Sequence, residues 1–67
     1  MRQPPTITLT LLTGHPLTLK AKAVEEVVST DTGSRVITGN GEKYEVEERY
    51  EVVCLMVRNA MEGRDAS

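Results

Sequence analysis

The hydrophobic period of this chain changes once, near residue 48, and that single change limits the folds open to it. Upstream, Thr6-Ile7-Thr8-Leu9-Thr10-Leu11 alternates strictly, so Ile7, Leu9 and Leu11 face one side of a strand and the threonines the other. Threonine is β-branched and suits the solvated face of a sheet. Downstream, Val52, Val53, Met56, Val57, Ala60 and Met61 recur at three- and four-residue intervals, the stripe of an amphipathic helix. Strands followed by one helix predict an α+β fold.

Between these two patterns the turn residues divide the chain. Gly14 and Pro16 punctuate residues 7–20 into a hairpin, with Leu17-Thr18-Leu19-Lys20 resuming the alternation. Residues 21–29 fit either a helical turn or a strand, and the three valines and the short window favour a strand. Asp31-Thr32-Gly33-Ser34 reads as a turn. Arg35 to Thr38 and Tyr44 to Glu47 form a second hairpin about Gly39-Asn40-Gly41, where Asn-Gly tolerates left-handed conformations. The expected architecture is one twisted antiparallel sheet of about four strands within residues 6–47, with a helix over 48–62 packed across it. Pro4 and Pro5 keep the first five residues extended, and 63–67 form a tail after the helix stop at Gly63.

Sixty-seven residues make one domain with a thin stability margin. Domains this small usually gain a staple from disulfides, a metal or self-association. Cys54 is the single cysteine and His15 the single histidine. No intrachain disulfide can form, and two ligands fall short of a structural zinc site. Association remains, and a homo-oligomer is expected. The net charge of −2 and an acidic run from Glu42 to Glu51 argue against nucleic acid. Two tyrosines as the only aromatic residues leave few platforms for stacked bases. The opening Met1 to Pro5 does not read as a secretory signal, no segment is apolar for long enough to span a membrane, and an unpaired thiol fits the cytoplasm.

The helix adds its own argument for assembly. Val52-Val53-Cys54-Leu55-Met56-Val57 is a run of six apolar residues, wider than one small sheet can cover. Val52, Leu55, Met56 and Met61 are the expected oligomer or partner interface. Cys54, in the same run, reads as a small buried hydrophobe and not as a nucleophile. His15 reads as a solvated turn residue, because nothing nominates the partner that acid–base chemistry needs. The glutamates about Glu45, Glu47, Glu48 and Glu51 read as a solvated acidic face without calcium-loop spacing. Gly39-Asn40-Gly41 with Lys43 lacks phosphate-loop spacing and reads as a hairpin turn.

The order of these features resembles the FlbD-like proteins, a family of small proteins associated with flagellar operons and swarming motility. The resemblance rests on Leu12-Thr13-Gly14, Leu17-Thr18-Leu19, Val24-Glu25, Asp31 to Ile37, Gly41 to Glu48 and the Val-Val helix, spanning roughly residues 7 to 57. The chain departs from the pattern in three places. Thr13 replaces an asparagine, Lys20-Ala21-Lys22 stands where Asn-Pro-Asp is usual, and the Asp-Thr turn lacks a proline. The resemblance implies a motility-accessory role and carries no catalytic residue or cofactor.

Two functions from different classes are therefore expected. The first is a non-catalytic interaction module acting as a homo-oligomer. The second is an oligomeric binder that sequesters a small anionic ligand such as a nucleotide signal, as some phage proteins do. Its contacts would come from His15, Arg35, Asn40, Lys43, Arg49 and Arg58, focused by symmetry.

Overall fold

The computed structural model describes residues 5–62. It is α+β, with strands β1 (Thr6–Thr10), β2 (Pro16–Lys20), β3 (Val24–Thr30), β4 (Gly33–Thr38) and β5 (Lys43–Val46), and helix α1 (Tyr50–Met61). The single sheet of about four strands is corrected to five strands in two antiparallel sheets, β1-β2 and β3-β4-β5. The expected tail, and all but the last residue of the extended start, lie outside the described residues.

The division into two sheets comes from residues 21–29. Ala21–Ala23 make a 3-10 turn, and only then does β3 begin. Ala21 is 1% exposed, small enough for α1 to pack against the turn, and its N–H donates to the Pro5 carbonyl at 3.0 Å. One long strand is thereby bent across two sheets. They meet again where β1 runs on past Thr10. Leu11 bridges Val46, the Glu47 N–H donates to the Thr10 carbonyl at 2.8 Å, and the Leu12 N–H donates to the Glu45 carbonyl at 3.3 Å.

The alternation in β1 has its expected consequence: Ile7 and Leu9 are buried and Leu11 packs against them. Val36, Val46 and Val53 complete the buried apolar core with Ala21. Helix α1 closes it, packing against β3, β1, β4 and the 3-10 turn.

The β1–β2 and β4–β5 loops use one device. Gly14 and Gly41 take φ values of 94° and 90°, and each donates its N–H to a carbonyl three residues back, Leu11 or Thr38. Asn40 does not share the left-handed conformation expected for it, because Gly41 alone supplies the positive φ. The supposed turn at Gly33-Ser34 is the start of β4, and Asp31-Thr32 alone make the reversal.

Helix α1 begins two residues later than the periodicity suggests. Glu48 is occupied elsewhere: its carboxylate accepts the Thr10 N–H at 2.9 and 3.1 Å, and its carbonyl accepts the Ser34 hydroxyl at 2.6 Å. A residue whose carbonyl is already committed across the fold is a poor first residue of a helix.

Candidate functional site

Two surfaces of the molecule carry groups that its own fold does not use. The first is the outer side of α1. Val53 is the one fully buried residue of the helix, with Met56, Val57 and Ala60 packed around it. At about 100° per residue, Val52, Leu55 and Met56 share one flank. Val52 and Leu55 are 44% and 54% exposed, and Met56 lies half-buried beside them. Met61, nine positions after Val52, falls about half a turn away on the opposite flank. There it joins Tyr50 and Cys54, and Met61 is 56% exposed. Glu51, Arg58 and Glu62 form a charged ridge between the flanks, and Arg58 pairs with Glu62 at 3.3 Å. The structure thus brings together three of the four expected interface residues and separates Met61 from them.

Cys54 is half-buried, not enclosed as its apolar neighbours imply. Its sulfur shares a hydrogen bond with the Tyr50 hydroxyl one turn earlier. That bond, then the charge the thiol would carry, raises the Tyr50 phenol above its ordinary 10.0.

The second surface is an open groove of about 440 Å³ between the two sheets. Leu19 of β2, Val24 of β3 and Tyr44 of β5 supply its apolar parts. Lys22, Glu25 and Asn40 supply polar groups from the 3-10 turn, β3 and the β4–β5 loop. The Asn40 side-chain oxygen accepts from the Thr38 hydroxyl and from the Glu42 N–H, the latter at 3.2 Å, so the amide group is held in one orientation.

Of the residues expected to contact an anion, only Asn40 lines this groove. Lys43 starts the adjoining strand without lining it. His15 stands at the tip of the β1–β2 hairpin, where its ring nitrogen meets the Thr13 hydroxyl at 3.0 Å. Arg49 precedes α1 and Arg58 lies on its ridge. Arg35 is paired with Glu45 across β4 and β5. Both side chains of that pair are more than a third exposed, so water and salt screen it. Arg35→Ala should change stability by less than about 1 kcal/mol in urea titration, with the difference shrinking at high salt.

Sequence reasoning missed Lys22, Glu25 and Tyr44 as groove residues. The signal available was Lys20-Ala21-Lys22 interrupting the strand pattern, where an alternation of lysines flanks the buried alanine. Among the described residues, no three His, Cys, Asp or Glu side chains converge as a metal site would need, and no helix is long and apolar enough to cross a membrane. No family model, curated protein or solved structure matches this chain.

Proposed function

We propose that the protein is a non-catalytic interaction module acting as a homo-oligomer, whose unit is a two-fold dimer through α1. The observation that carries this reading is Leu55, which is 54% exposed on the side of the helix turned away from the core, with Val52 beside it. A domain this small gains more than most from covering such residues. The helix is also self-complementary. Glu51 precedes Leu55 by four residues and Arg58 follows it by three. An antiparallel crossing of two helices on a two-fold axis at Leu55 brings Glu51 near Arg58 of the partner subunit, and the reverse, as an isologous interface requires. The second exposed flank, with Tyr50 and Met61, remains open to a further protein.

Native mass spectrometry of the intact chain should show the dimer. Leu55→Glu places two like charges at the dimer axis and should weaken association at least about 100-fold. Glutamate is nearly as good a helix former as leucine, and the side chain is exposed, so the variant should keep its circular dichroism spectrum. A wild-type chain that stays monomeric up to millimolar concentration defeats the proposal, as does a Leu55→Glu variant that still dimerises. An unpaired thiol is in keeping with a cytoplasmic setting for this module, which we include in the proposal. Its resemblance to the FlbD-like family over residues 7 to 57 suggests a motility assembly as its setting.

A further inference from the structure

We infer that the groove between the two sheets binds a small amphoteric organic molecule that carries an anionic group, N–H donors and a flat apolar body. The groove is built by one chain without α1, so this inference stands whether or not the protein dimerises.

Size comes first. About 440 Å³ lies within the range of sites for small organic molecules, and it is far more than a bare ion fills. Charge then narrows the class. Lys22 and Glu25 both line the groove, and neither is ion-paired with the other or with any described residue. Two opposite charges beside one cavity, each without an internal partner, suit a ligand that bridges them. The Lys22 ammonium takes a phosphate or carboxylate, and the Glu25 carboxylate takes an amine. An uncharged apolar molecule uses neither of these exposed charges, and a simple anion meets Glu25 as a like charge.

The backbone supports the placement of Glu25. Val24 pairs with Thr38 and Glu26 with Ile37, so Glu25 is the extra residue of a β-bulge. Bulges re-aim side chains and are frequent beside binding sites. Asn40 adds the third polar contact. Its oxygen is already used twice, so its amide nitrogen presents two donors to a carbonyl or ring nitrogen. Leu19, Val24 and Tyr44 offer apolar surface for the body of the ligand. Nucleoside monophosphates with an exocyclic amine and zwitterionic aromatic amino acids both have this chemistry.

Amide NMR spectra of the full chain, titrated separately with adenosine monophosphate, phenylalanine and inorganic phosphate, test the inference. The nucleotide or the amino acid should shift the amides of Lys22, Glu25, Gly39 and Asn40 with half-saturation below the millimolar range, and the stronger of the two identifies the source. Gly39→Leu is the groove-filling variant. A side chain there starts in open space, with only a Glu25 carboxylate oxygen near, at 4.0 Å from the added Cβ. The variant should melt as the wild type does and bind about tenfold more weakly or worse. Glu25→Gln should weaken binding of the amine-bearing ligand and leave the fold intact. The inference is overturned if neither organic ligand shifts the groove amides at millimolar concentration. It also falls if phosphate alone matches them, or if a folded Gly39→Leu variant binds as tightly as the wild type.

Discussion

Gly33→Ala is expected to leave most of the protein unfolded at room temperature. A Cβ at this position would stand 2.2 Å from the Val46 carbonyl oxygen and 2.8 Å from the carbonyl carbon and oxygen of Glu47. These are backbone atoms of the segment that carries the chain from β5 to α1, so no side chain can swing aside to make room. The residue also has φ of 153°, a conformation that side chains other than hydrogen disfavour. Holding a non-glycine residue in such a region costs about 1–3 kcal/mol before any clash is counted. A core of this size supplies no more than about 3–5 kcal/mol in total. Urea titration followed by circular dichroism should show a midpoint collapsed toward zero. Gly39→Ala is the matched control and should stay within about 0.5 kcal/mol of wild type. A Gly33→Ala protein as stable as that control would show that the crossing over β4 is looser than the distances imply.

Glu48→Ala should cost the next largest share, about 1.5–3 kcal/mol, the range for hydrogen bonds to a charged group. Both carboxylate oxygens of Glu48 accept the Thr10 N–H, 38 residues away in sequence. Removing them leaves that amide without its acceptor at the corner where β1 joins β5. Two measurements separate this loss from a general loosening. The urea midpoint should fall, and hydrogen exchange at the Thr10 amide should accelerate more than at Ile7 or Leu9 in the same strand. Glu48→Gln keeps an oxygen acceptor and should recover part of the stability. If Glu48→Ala is indistinguishable from wild type, the corner is held by its backbone bonds, Glu47 N–H to the Thr10 carbonyl and Leu12 N–H to the Glu45 carbonyl.

These two positions also show where sequence reasoning reached its limit. Gly33 reads as an ordinary turn glycine and Glu48 as one more carboxylate in an acidic face. Nothing local contradicts either reading. Their roles arise because β5, after pairing with β4, crosses close above Gly33 and Ser34 and brings Glu48 beside Thr10. The exposed helix residues behave differently. Six successive apolar residues cannot all face one core at about 100° per residue, so an exposed flank followed from the pattern itself. Met61 lies beyond that run, and the same 100° arithmetic sets it about half a turn from Val52, so it does not belong with Val52, Leu55 and Met56.

Periodicity and the turn residues Gly14 and Pro16 determined that β1 buries Ile7 and Leu9, that β1 and β2 form a hairpin about Gly14, and that an amphipathic helix follows the strands. Side-chain period is a local property of backbone geometry, so the sequence displays it directly. Tertiary structure decided the break into two sheets at Ala21, the bulge at Glu25 and the groove that Lys22, Glu25, Asn40 and Tyr44 share. Those features depend on which strand lies beside which, and on how closely one backbone passes another. Contacts between residues far apart in the chain settle such questions, and no period within a segment encodes them.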